Sequence, residues 1–111
     1  MPQAPVDLEQ LKELYGPESI QELLEMSVME AKKLVEQLAK SVPEHNRDAV
    51  SNDAHQLKGM AATMTLNHIA ELSKQLEQCA KKDIWDDSNQ ILSVIRMHLE
   101  DLEQFLKSTF V

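Results

Sequence analysis

The sequence predicts an all-α fold, an antiparallel four-helix bundle preceded by a short capping helix, and three observations carry that expectation. Leu, Glu, Gln, Lys and Ala dominate a chain of 111 residues that holds only two glycines and four prolines, a composition that favours helix almost throughout. Apolar residues recur at alternating spacings of three and four along four long segments, the mark of a helix with one buried stripe. Short polar stretches join these segments, and four stripes so connected are buried most simply when successive helices turn back on one another. No alternating strand pattern of useful length, internal repeat or low-complexity segment competes with this reading. The length suits one hydrophobic core, so residues 1–111 are expected to form a single domain.

In the first helix Val6, Leu8, Leu11 and Leu14 supply the apolar positions, Asp7 is the expected cap, and Gly16 ends it. Gly16-Pro17-Glu18-Ser19 then stops one helix and starts another, with the proline suited to a first turn and the acidic residue to the positive helix end. The second helix is expected to run to about Ser41 on a stripe of Ile20, Leu24, Ser27, Ala31, Leu34 and Leu38, widened by Leu23, Val28 and Val35. Pro43 interrupts it. The polar run Glu44–Asp48 holds caps for a third helix that continues to about Leu66 with Val50, Ala54, Leu57, Ala61 and Met64 as its seam. Asn67 is the expected cap of a fourth helix whose inner side is Ile69, Leu72, Leu76 and Cys79, ending at Lys81-Lys82. The last helix is expected from about Asp86 to Thr109, with Ile91, Ile95, His98, Leu102 and Phe105 in one row and Leu92, Leu99 and Leu106 beside it.

Charge and composition narrow the function classes. Nineteen acidic against eleven basic residues give a net charge of -8, which repels phosphate backbones and anionic lipid, so neither nucleic acid nor a membrane is an expected partner. No apolar run approaches the roughly 20 residues of a membrane span, and the N-terminus lacks the pattern of a secretory signal, so a cytoplasmic protein is expected. Cys79 is the only cysteine; it reads as a small core residue, and no Cys/His spacing suggests structural zinc. A monomer is the default.

One stretch departs from an ordinary amphipathic helix. Ala54-His55-Gln56-Leu57-Lys58-Gly59-Met60-Ala61-Ala62 places a histidine, a lysine and one of the two glycines within five residues, and glycine inside a helix costs about 1 kcal/mol against alanine. Gly59 therefore calls for a reason in packing or in function. At about 100° per residue, His55 projects roughly 140° away from the seam, and Lys58, Gly59 and Ala62 surround it at i+3, i+4 and i+7. An exposed imidazole with an ammonium and a gap beside it can accept a phosphoryl group. Spacing alone favours an ordinary surface histidine over that chemistry.

The same stretch resembles the H-x-L-K-G signature of histidine-containing phosphotransfer (HPt) domains, and the similarity continues through Leu72, Lys74, Leu76 and Glu77. Helix order extends the resemblance from about Leu8 to Phe105. It implies a four-helix bundle in which His55 accepts phosphate from a receiver-domain aspartate and passes it to another receiver, with Lys58 as the basic neighbour and Gly59 as the small residue giving access. Implied partners are the receiver domains of response regulators and hybrid histidine kinases. No cofactor is expected on this chain, which has no Gly-rich phosphate loop for ATP; Mg2+ is expected in the partner receiver. Ala62 and Leu66 are candidate docking residues. Two positions depart from the family pattern. Thr65 stands where a helix-ending glycine is common, and Glu77 where many members have a glutamine; Glu77 is either an orienting residue or solvated surface.

Two other classes remain open on the residues. An adaptor or inhibitor could use the same bundle to bind a receiver or kinase without accepting phosphate. A metal-binding bundle would draw on His45, His55, His68 or His98, but no H-x-x-x-H or E-x-x-H pair supports it. His98 lies on an apolar row and reads as a partly buried histidine, His45 and His68 as solvent-facing residues near helix starts, and Trp85 as a cover over one bundle end.

Overall fold

The computed structural model describes residues 5–110 and contains five helices, with no strand among the described residues. They are α1 (Leu8–Tyr15), α2 (Ile20–Ser41), α3 (Arg47–Thr63), α4 (Asn67–Lys82) and α5 (Ser88–Thr109). Helix α2 contacts α3 and α5, α3 contacts α4, and α4 contacts α5, so the four long helices close a ring, with α1 against α2. Leu24, Leu38, Leu57, Leu76, Ile95 and Leu102, all fully buried, come from every member of the ring and fill one core. At about 1.5 Å per residue the 22-residue α2 and α5 each span about 33 Å.

Local chemistry sets the helix ends. The Asp7 side chain accepts from the Gln10 N–H at 3.1 Å and caps α1, and the Asn46 side chain accepts from the Ala49 N–H at 3.2 Å and caps α3. Helix α1 stops at Gly16, where φ is +87°, a conformation open to glycine and strained for other residues. Pro17 lies in the turn ahead of α2 rather than in its first helical turn, and Leu14, expected on the buried stripe, is exposed.

Three of the remaining ends share one geometry. After α2, α3 and α4 the chain turns through a left-handed residue, His45 (φ 52°), Thr65 (φ 60°) and Asp83 (φ 57°). In each case the following N–H reaches back five residues: Asn46 to the Ser41 carbonyl, Leu66 to Ala61 and Ile84 to Cys79, at 2.8 to 3.1 Å. This is the glycine-type helix stop made without glycine.

That geometry corrects two expectations. Helix α3 ends at Thr63 instead of continuing to Leu66, because Thr65 takes the left-handed turn that a glycine would take more cheaply. The Thr65 hydroxyl offsets part of the cost by accepting from the Asp7 N–H at 2.8 Å, tying α1 to the α3–α4 turn. Asn67 is the first residue of α4 and not its cap; Leu66 holds the cap position, with no side-chain cap hydrogen bond.

The inner face of α4 is also rotated from the expected one. Ser73, Glu77 and Ala80 are buried with Ile69 and Leu76, whereas Leu72 and Cys79 are half-buried. Helices α3 and α4 form the most extensive contact of the molecule. Both bring small, fully buried side chains, Ala54 and Ala61 from α3 and Ser73 and Ala80 from α4, which permits close approach of the backbones. Arg47 at the start of α3 donates to the Ala80 and Lys81 carbonyls at 3.2 and 3.0 Å, so the first turn of α3 lies beside the last turn of α4.

Candidate functional site

Helix α3 presents its polar face beside α4 because its seam, Val50, Ala54, Leu57, Ala61 and Met64, is buried throughout. That fixes the direction of His55, whose side chain is 67% exposed. From the facing helix Glu77 reaches it: Glu77 Oε2 lies 3.0 Å from His55 Nδ1, while Glu77 Oε1 accepts from Lys58 Nζ at 2.7 Å. Lys81 Nζ, one turn further along α4, is 3.4 Å from the same carboxylate.

Glu77 is only 5% exposed, which removes the reading of it as solvated surface. Burial pushes its carboxyl pKa up, but hydrogen bonds from Lys58 and Lys81, the Lys58 charge and the His55 contact outweigh burial and hold it below the usual value. A carboxylate can only accept hydrogen bonds, so Nδ1 of His55 is the donor, and Nε2 of the neutral ring carries the free lone pair. Two lysines and one glutamate make this patch locally basic on a molecule of net charge -8.

Gly59 is exposed, and a Cβ built there would meet nothing within 4 Å. Internal packing therefore does not require the glycine, and its carbonyl accepts from the Thr63 hydroxyl at 3.0 Å. Ala62 is exposed on the same helix. Leu66 is not available for docking: it is 2% exposed and belongs to the core. The residue after a left-handed helix stop is commonly apolar and turned inward against the last helical turn, and Leu66 follows that rule.

Thus the structure brings His55, Lys58 and Glu77 together and adds Lys81, which sequence reasoning read only as a basic residue at a helix end. The available signal was its i, i+4 relation to Glu77. The other histidines are engaged elsewhere. His45 stacks on Trp85 with ring centroids 4.8 Å apart, closing one end of the ring, and His68 stacks on His98 at 5.0 Å. Among the described residues no group of three or more His, Cys, Asp or Glu could hold a metal ion. No helix among them is long and apolar enough to cross a membrane.

A family model, that of the Hpt domain, matches residues 22–105, a span that includes His55, Lys58, Gly59, Glu77 and Lys81. The chain belongs to the Hpt domain family. No match was found among curated proteins or solved structures. Hpt domains are phosphotransfer modules of two-component phosphorelays; they generally interact with receiver domains and have no ATP site of their own. In this Hpt domain His55, Lys58 and Gly59 of the H-x-L-K-G stretch lie on the outward side of α3, beside the carboxylate of α4, while Leu57 is buried in the core.

Proposed function

We propose that this Hpt domain is a phosphorelay intermediate, with His55 accepting a phosphoryl group from a receiver aspartate and passing it to a second receiver. One observation carries the reading: the buried Glu77 carboxylate engages His55 Nδ1 at 3.0 Å, leaving Nε2 as the nucleophilic nitrogen of an exposed ring. In the forward step the Nε2 lone pair attacks phosphorus in line. The bond from phosphorus to the aspartate oxygen breaks, and its electron pair remains on the receiver's carboxylate.

Lys58 offsets charge on the phosphoryl oxygens, the space at Gly59 admits the donor, and Ala62 supplies apolar contact beside the site. The chain binds no cofactor in this scheme; Mg2+ in the receiver supplies the remaining charge stabilisation. We take the ring of long helices to be an antiparallel four-helix bundle acting as a cytoplasmic monomer.

The test mixes the protein with a phosphorylated receiver domain. An acid-labile phosphate should form on the wild type and be absent from His55→Ala. Normal transfer by that variant overturns the reading. Receiver binding that His55→Ala leaves unchanged, with no phosphohistidine on the wild type, would make the domain an adaptor instead.

A further inference from the structure

The Glu77 carboxylate differs from a neutral amide at the same place in its charge and in accepting at both oxygens, from His55 and from Lys58, and that charge sits against the imidazole nitrogen that does not react. We propose that Glu77 keeps phosphorylated His55 protonated at Nδ1, so that the leaving group in onward transfer is always a neutral imidazole. The proposal rests on the relay reading above and deepens it. Glu77 acts here as a positioning residue, through His55.

The chemistry balances without a proton leaving or entering the ring. When Nε2 takes the phosphoryl group, the ring already bears a proton on Nδ1, hydrogen-bonded to Glu77 Oε2 at 3.0 Å. The phosphorylated ring is then cationic, and the adjacent carboxylate is its counter-charge. In onward transfer an oxygen of the next receiver's aspartate attacks phosphorus, the bond to Nε2 breaks, and the electron pair returns to Nε2 of a neutral ring. Were Nδ1 unprotonated, the same step would have to expel an imidazolate, a far poorer leaving group.

Geometry makes the charge effective. The carboxylate is buried on the inner side of the imidazole, where solvent screens it weakly. The charged groups paired at this ring are Lys58 from its own helix and Glu77 and Lys81 from α4; among the described residues no ion pair reaches them from α2 or α5. The two ammonium groups oppose a cationic ring, but the phosphoryl oxygens give them a second acceptor once His55 is modified. A glutamine carbonyl in place of Glu77 would still accept from Nδ1, with no charge to retain the proton and with the hydrogen bond from Lys58 given up.

The test uses the full chain phosphorylated chemically with phosphoramidate, so that no receiver is needed. Nitrogen NMR of the phosphorylated ring should show Nδ1–H in the wild type from about pH 6 to about pH 8, the window in which imidazoles change charge. Glu77→Gln should lose that proton towards the upper end, and its phosphohistidine, followed by phosphorus NMR, should lose phosphate about tenfold more slowly there than the wild type, the effect of roughly one pKa unit. Matching pH profiles for the two proteins, or an unprotonated Nδ1 in the phosphorylated wild type near pH 7, overturn the proposal; the second measurement does not depend on the variant folding. A wild type that shows the protonated ring yet takes no phosphate from phosphorylated receivers fails the relay reading and keeps this one.

Discussion

The interior of α3 and its C-terminal turn treat glycine in opposite ways. At Gly59 the backbone is helical, a side chain would meet nothing, and glycine costs about 1 kcal/mol against alanine. Six residues later Thr65 adopts φ of 60°, where glycine would be comfortable and a β-branched residue is strained by about 1 to 2 kcal/mol. The same holds at His45 and Asp83, so three helix ends close without glycine while one helix interior carries it. Folding alone would favour the reverse arrangement. The difference marks Gly59 as a position shaped by what approaches from outside, in line with the relay reading.

Variants along α3 and its turn break or sharpen this comparison. The largest change in stability is expected at the turn. Leu66→Ala removes a core side chain and should lower unfolding free energy by about 2 to 5 kcal/mol, seen in chemical denaturation; a loss below about 0.5 kcal/mol would mean Leu66 is not the anchor of that turn. The largest change in transfer is expected in the interior. Gly59→Gln should slow phosphotransfer about 100-fold, as expected of a reacting pair held slightly too far apart, yet raise Tm by about 4 °C through helix propensity. A lowered Tm would show that packing, not access, selects the glycine.

Smaller effects test the remaining contacts. Thr65→Ala keeps the left-handed strain but loses the hydrogen bond to Asp7, so it should destabilise by about 1 kcal/mol. Thr65→Gly loses the same bond and relieves the strain, and it should be the more stable of the two in parallel thermal melts. Lys58→Ala should slow transfer while changing stability by less than about 1 kcal/mol, since the lysine is partly exposed and Lys81 remains on the carboxylate. The pH dependence follows from Glu77. Its folded pKa lies below the usual glutamate value, so its contribution is complete above that usual value and is lost as pH falls through the folded one. Thermal melts of wild type and Glu77→Gln should therefore converge in acid, and a gap that widens below about pH 4 would contradict the sign.

The residues that were legible in the sequence are those governed by local periodicity. The seam of α3 follows from spacing along one helix, and with it the outward direction of His55, because a helix with one buried stripe has only one way to face. The cap at Asp7, a cap within the run Glu44–Asp48, which the structure gives to Asn46, and the stop at Gly16 are equally local, and the H-x-L-K-G stretch pointed to the family. Leu66 was misread because its inward turn depends on Thr65 going left-handed, which a β-branched residue seldom does. Leu72 and Cys79 lie at the edge of the inner face of α4 and not at its centre, because the centre is taken by the small residues Ser73 and Ala80 and by Glu77, which face α3.

By itself, then, the sequence determined five helices, one core and an exposed imidazole beside a lysine and a gap, since each is set by the order of residues within a single helix. Only the tertiary structure decided that Glu77 is buried, that its carboxylate holds His55 Nδ1, Lys58 and Lys81 together, and that Nε2 is the free nitrogen. Those relations cross from α3 to α4, over 22 residues of sequence in the case of His55 and Glu77. The periodicity of either helix says which face is apolar, but only close packing of the two brings these side chains together.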